Sequence, residues 1–259
     1  PNLSISTGVS DSIIVTIANM GANIITSMNI RWKINGGVIQ TLAWSGNLNV
    51  MDVTSPIFLG TFVPLSGGNS LIIYTDSPNG QNDNDMSNDT LTIETYGCDS
   101  ALNGIYTVGG ASADFSTISE AVKAMAYCGI SGPTTLSINA NTYYENVIIP
   151  NIPGTSTINT LTITSANGDS TSVIIQSTSD KAAITLTNSN NIVIKNITIN
   201  GILSGMASHS IELKNSNKNI VIRNNVIKTS SDTSSTESIT AIYSNNSLDT
   251  SLKIMNNYF

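Results

Sequence analysis

Ile194-Lys195-Asn196-Ile197-Thr198-Ile199 recurs twice without gaps, as Ile222-Arg223-Asn224-Asn225-Val226-Ile227 and as Ile254-Met255-Asn256-Asn257-Tyr258-Phe259. The shared Asn returns after 28 and then 32 residues. Each copy follows a short apolar pair or run: Ile184/Leu186, Ile211/Leu213, and Ile242 with its neighbours. Two looser units, 135–149 and 160–175, precede them. One such unit cannot bury its own apolar stripe, so units must stack and share a core. Asn is suited to the bend between strands because it tolerates the left-handed conformation. Asn196, Asn224 and Asn256 are therefore expected to stack as an internal ladder.

Working outward from these repeats, residues 98–259 read as a right-handed parallel β-helix. Residues 114–126 carry its one convincing helix: Ile118, Ala121, Val122 and Met125 share a face. Ser116 is the expected N-cap, Glu120 sits in the first turn, and Gly129 is the expected stop. A solenoid end exposes unpaired strand edges, and this helix, near 116–128, is expected to cap the first coil. No comparable cap follows Phe259, so further coils or a separate cap are expected beyond it. With no Met at Pro1, the chain reads as covalently part of a longer protein.

Residues 1–97 follow a different pattern, with period-two alternation and frequent turns. Strands are expected at 3–6, 12–18, 28–35, 38–44, 57–62, 70–75 and 90–95, which makes an Ig-like β-sandwich. Asn35-Gly36-Gly37 and Pro78-Asn79-Gly80 supply turns. Trp32 and Trp44 are expected in or beside the sandwich core, with a sugar-stacking platform as the rival role. The whole chain is thus expected to be all-β, a sandwich followed by a helix-capped solenoid.

Composition narrows the function. The chain has 10 basic and 17 acidic residues, a net charge of −7, and only Arg31 and Arg223 as arginines. Nucleic-acid binding needs a basic footprint and is not expected. His209 is the sole histidine, which argues against a His-based zinc site or a Ser-His-Asp triad. No apolar run reaches the roughly 18 residues of a membrane span, so no membrane insertion is expected. Low Lys, 33 Asn, abundant Ser and Thr and two cysteines resemble the composition of secreted bacterial surface proteins. Cys98 and Cys128 are the only cysteines. In an oxidising compartment they would form a disulfide, which the chain-entropy model values at roughly 3–4 kcal/mol. Two buried free thiols are the alternative.

Two resemblances add to this reading. The run from Ile13 to Gly21, then Trp32-Lys33-Ile34-Asn35-Gly36, Trp44-Ser45-Gly46-Asn47-Leu48, Pro78-Asn79-Gly80 and Asn88-Asp89-Thr90-Leu91 resemble the bacterial cell-adhesion-related Ig-like (CARDB) family. That resemblance implies a spacer or adhesion unit of an extracellular protein. The run from Leu102 to Gly110, Asp114-Phe115-Ser116-Thr117-Ile118, the run from Cys128 to Pro133, Tyr143-Tyr144-Glu145, the run from Asn159 to Ile163 and Asn167-Gly168-Asp169 resemble the pectin-lyase-like superfamily. They are most similar to β-helix regions of large surface proteins exported by the type IX secretion route. Lyases on this fold need acidic calcium ligands and a proton-abstracting base, and the related esterases need paired aspartates with an arginine. Neither set is visible here.

The remaining candidates are few. Lys195 and Arg223 hold equivalent places on neighbouring coils, where an anion such as a uronate would relieve their repulsion. Glu212 and Lys214 should also point outward and, with nearby His209, would complete a small polar ligand-binding site on the solenoid face. An ordinary solvated face is the plainer reading. Asp83, Asp85 and Asp89 lie in a loop rich in oxygen ligands. Asn88 stands where an EF-hand needs glycine, so at most a looser calcium site is expected, against a polar loop of Asx turns. No other cofactor is expected. The preferred function is a non-catalytic, extracellular or outer-surface segment for adhesion or contact with a polysaccharide or cell-surface glycan. The alternatives are a polysaccharide lyase or esterase whose active site lies partly beyond Phe259, and a purely structural stalk.

Overall fold

The period-two alternation becomes strands almost throughout the computed structural model, which describes residues 4–83, 85–179, 181–201, 209–228, 240–245 and 248–259. The chain separates into two units, Pro1–Asp99 and Ser100–Phe259.

The first unit holds seven strands, β1 (Ser4–Ser6), β2 (Asp11–Val15), β3 (Ile25–Ile34), β4 (Gln40–Leu48), β5 (Ile57–Phe62), β6 (Gly67–Asp76) and β7 (Thr90–Cys98). A five-stranded sheet has the order β1-β7-β6-β3-β4 and curls as a half-barrel, while β2 and β5 form a two-stranded sheet. All pairs are antiparallel except β1 with β7. Ile13 and Leu59 from the small sheet meet Met28, Ile30, Trp32 and Ile73 from the large one. Trp32 is buried there, and Trp44 packs partly buried against the same core. A Cβ at Gly46 would lie 2.5 Å from the Trp44 ring, so any larger residue there would displace the ring.

The second unit is a parallel β-solenoid of about four turns. β8 (Leu102–Val108) and helix α1 (Ile118–Cys128) lead into β9 (Ile130–Ile138), β10 (Asn141–Tyr144), β11 (Val147–Ile149) and β12 (Leu161–Ser165). β13 (Val173–Gln176), β14 (Ile184–Thr187), β15 (Asn190–Lys195), β16 (Thr198–Asn200) and β17 (Ile211–Lys214) follow. β18 (Lys218–Arg223), β19 (Val226–Lys228), β20 (Ile242–Asn245) and β21 (Lys253–Met255) complete it. Three parallel sheets result: β10-β13-β16-β19, β11-β14-β17-β20 and the six-stranded β21-β18-β15-β12-β9-β8. The registers line up Leu136, Ile163, Ile194 and Ile222 in one buried column, and Tyr143, Ile175, Ile199 and Ile227 in another. Each such isoleucine contributes about 1.5–3 kcal/mol by leaving water.

α1 lays Ile118, Ala121, Val122, Met125 and Ala126 onto the first coil, where they join the same core. Its N-cap is Thr117, not Ser116: the Thr117 side chain accepts from the Glu120 N–H at 3.1 Å, and the Glu120 carboxylate accepts from the Ser116 N–H at 2.9 Å. The Thr117–Glu120 bond places the cap three residues before Glu120, and the Glu120 carboxylate reaches back one residue past the cap. Glu145 adds a second anchor, accepting from the N–H groups of Ile118 (3.1 Å) and Ser119 (2.8 Å). The Tyr143-Tyr144-Glu145 run therefore ties the coil to the helix N-terminus. Tyr143 is buried and its hydroxyl donates to the Asn139 carbonyl at 2.9 Å. Gly129 ends the helix with φ 72°. Cys98 and Cys128 are both disulfide-bonded, and with no other cysteine in the chain they pair with each other.

The internal Asn ladder runs one residue later than expected. Asn196, Asn224 and Asn256 have φ of 53°, 55° and 51° and form the column of left-handed bends. The residues after them point inward. Buried Asn225 accepts from the Ile197 N–H (3.2 Å) and donates through Nδ2 to the Ile194 carbonyl (3.1 Å) and to Asn257 Oδ1 (3.1 Å). Asn257 in turn accepts from the Asn225 N–H at 3.0 Å. The left-handed residue reverses the chain at the corner, so its successor inherits the core side. A second column forms at the next corner, where the Ser189 N–H donates to Asn217 Oδ1 (2.9 Å) and Asn217 Nδ2 to Asp249 Oδ1 (2.8 Å).

Three substitutions test the stacking. Ile194→Ala leaves a cavity in a fully buried column and lowers stability by about 2–5 kcal/mol, measured by urea unfolding. Asn225→Ala leaves the Ile197 N–H and Ile194 carbonyl unpaired and costs about 2 kcal/mol or more. Asn224→Gly, by contrast, keeps the left-handed bend and leaves the unfolding midpoint nearly unchanged.

Candidate functional site

The outward positions of the solenoid are set by the same alternation that sets its core. Ile194 and Ile222 face inward, so Lys195 and Arg223 face out, and they are register partners on β15 and β18. Thr164 precedes them in the row and Met255 follows. Neighbouring strands lie about 4.7–4.9 Å apart, so the two cations share one small area. Val193 and Val221 form the adjacent outward pair, over which the aliphatic stems of Lys195 and Arg223 can lie.

Glu212 and Lys214 do not join that area. They sit on β17, in the β11-β14-β17-β20 sheet, whereas Lys195 and Arg223 belong to the six-stranded sheet. The expected four-residue site is thereby divided between two sheets. Lys214 Nζ lies 2.9 Å from Glu212 Oε2, so the β17 pair neutralises itself. His209 stays with β17: its Nδ1 is 2.9 Å from Thr240 Oγ1, and its ring stacks on Tyr243 with centroids 4.3 Å apart. Residues 202–208 of the loop before it lie outside the described residues.

One basic residue escaped the sequence reading. Lys253 on β21 is the register partner of Val221, which places it outward beside Arg223. Its signal was available: Lys253 precedes Ile254 as Val221 precedes Ile222 in the aligned repeats.

The acidic loop of the first unit is held by local turns. Asp83 Oδ1 accepts from the Asp85 N–H at 2.9 Å, and Asp85 Oδ1 from the Ser87 N–H at 3.1 Å. The Ser87 hydroxyl and backbone N–H hold the Asp85 carboxyl below its ordinary value. Asp89 behaves oppositely. Burial, then the Asp83 carboxylate, with smaller contributions from Asp85 and Asp76, raises it above the ordinary 3.8, while the Thr75 hydroxyl works against the rise. Among the described residues no three of His, Cys, Asp and Glu come together as a metal-holding group.

A solved structure similar to part of this chain is the CARDB domain of a Pyrococcus furiosus protein in complex with di-metal ions. It is 16% identical, with a TM-score of 0.32, and the match covers 38% of this chain and 81% of that one. No family model matches the chain, and no curated protein does. No helix among the described residues is long and apolar enough to cross a membrane.

The raised Asp89 carboxyl has a definite sign. A carboxyl that is harder to ionise in the folded state lowers stability once pH exceeds its ordinary value, and the penalty is absent below it. Asp89→Asn is therefore expected to raise the melting temperature at pH 7 in low salt. The gain should fade below pH 3.8 and shrink in 1 M salt, because the like charges are solvent-screened. Thermal unfolding across pH and salt measures it.

Proposed function

We propose that the chain is a segment of a large secreted or cell-surface bacterial protein, serving adhesion or polysaccharide contact without catalysing a reaction. The observation that carries this reading is the six-stranded sheet. Its outward residues run in register from β9 to β18 over a continuous buried column, with β8 and β21 paired at the two ends. A face of that kind is preorganised, and an extended chain laid on it loses little protein entropy. The disulfide supports an oxidising compartment, where such bonds persist. The first unit serves as spacer or accessory binder.

The test is incubation of the chain with a panel of acidic and neutral polysaccharides, with and without calcium. Retention and product size are both read. Saturable retention with unchanged polymer length is expected. Shortening of a polymer, or unsaturated products, would overturn the non-catalytic reading in favour of a lyase or esterase. Retention of none would leave a structural stalk.

A further inference from the structure

The first unit holds a cleft of about 1100 Å³. Residues 15–23 give one wall, and the segments 78–83 and 85–91 give the other. Met28 and Ile73 line it from the sandwich core, where both are buried. Met20 and Leu91 also line it, and they remain 64% and 54% exposed. Both walls are braced. Buried Asn19 donates through Nδ2 to the carbonyls of Asn23 (2.8 Å) and Leu48 (3.0 Å), and its Oδ1 accepts from the Gly21 N–H (3.0 Å). Asn79 ties the opposite wall back, accepting from the Thr26 N–H (2.7 Å) and donating to the Ile24 carbonyl (2.8 Å). Asp83, Asp85 and Asp89 line the cleft, and among the described residues no Lys, Arg or His does. None of these three carboxylates forms an ion pair among the described residues. The Asx turns engage only Oδ1 of Asp83 and of Asp85, which leaves Oδ2 of each for another donor.

We infer that this cleft docks a short peptide segment of a partner protein, in which Lys or Arg alternates with apolar residues. The inference concerns the first unit alone and does not depend on the polysaccharide reading. The two linings together select the ligand. Apolar side chains of the peptide would leave water against Met28, Ile73 and Leu91. Its basic side chains would remove the mutual repulsion of Asp83, Asp85 and Asp89. A cation beside Asp89 also offsets the burial and the Asp83 carboxylate that disfavour its ionised form. A lone metal ion would leave the apolar base in water, a neutral apolar molecule would leave the acids unmatched, and a polyanion would be repelled. Clefts of about 300–1,000 Å³ enclose drug-sized molecules, so this one has room for a few residues of a chain. Exposed Asn23, Asn82 and Asn88 line it with amides that can pair with a peptide backbone. Met20 gives an adaptable apolar contact. Because Asn19 and Asn79 already hold the walls, little ordering entropy is lost on docking.

The experiment is isothermal titration of the whole chain with an end-capped octapeptide of alternating Lys and Leu, at about 0.1 and about 1 M salt. The matching Lys-Ser and Glu-Leu octapeptides and calcium chloride are the comparators. The cleft variant Asp83→Asn/Asp85→Asn/Asp89→Asn is set against Asp11→Asn/Asp52→Asn/Asp169→Asn, which changes the net charge equally at exposed positions elsewhere. Saturable binding of the Lys-Leu peptide is expected, weaker in the higher salt and unchanged in the control variant. It should weaken by about tenfold or more in the cleft variant, and also in Leu91→Ser. Asp89→Asn alone should weaken binding while raising the melting temperature, so the loss there is not a loss of folding. Equal weakening in the two triple variants overturns the inference, because net charge alone then explains binding. Lys-Ser or Glu-Leu peptide binding as tight as Lys-Leu overturns it too. So does calcium binding that the cleft variant loses when no peptide binds, and so does the absence of any binding.

Discussion

The second unit depends on one constraint: each coil is too thin to bury its own apolar residues, so isoleucine must stand on isoleucine. The column through Leu136, Ile163, Ile194 and Ile222 meets that constraint, and the parallel registers follow from it. A slip of one residue would turn every one of these side chains into water. The polar corners obey the same rule. A buried backbone N–H with no partner is costly, and Asn225 and Asn257 supply the partners that the tight corner between sheets cannot. The helix α1 closes one end of the stack, and its position is held by two carboxylates, Glu120 and Glu145, at its N-terminus.

Because the core needs only alternate residues, the other half of each strand is free to vary in charge. The β17 pair Glu212–Lys214 spends that freedom on mutual neutralisation. The six-stranded sheet excludes acids altogether and gathers Lys195, Arg223 and Lys253 on one face. On such a face fold and binding do not compete: the outward residues that would touch a polymer are not those that bury the core.

In the first unit the same alternation works in antiparallel form, and its acidic loop shows how local bonding limits chemistry. Asp83 and Asp85 turn their carboxylates onto nearby backbone N–H groups. Asp89 sits partly buried among like charges. Spacing that resembles a ligand set in one dimension is thus met in three by Asx turns, which short acidic side chains form readily.

The sequence by itself determined the all-β class, the seven strands of the first unit, the stacking of the Asn repeats and the equivalence of Lys195 with Arg223. Period-two alternation and repeat length are local quantities, and they carry that information directly. Three matters were decided only by tertiary structure. Asn225, rather than Asn224, fills the core corner, because a left-handed residue changes which side the next one faces. Thr117, rather than Ser116, caps α1, because the bond with Glu120 chooses between two adjacent hydroxyls. Glu212 and Lys214 fall on a different sheet from Lys195 and Arg223, because sheet membership depends on how the corners turn, and a strand pattern of period two is the same whichever sheet it joins.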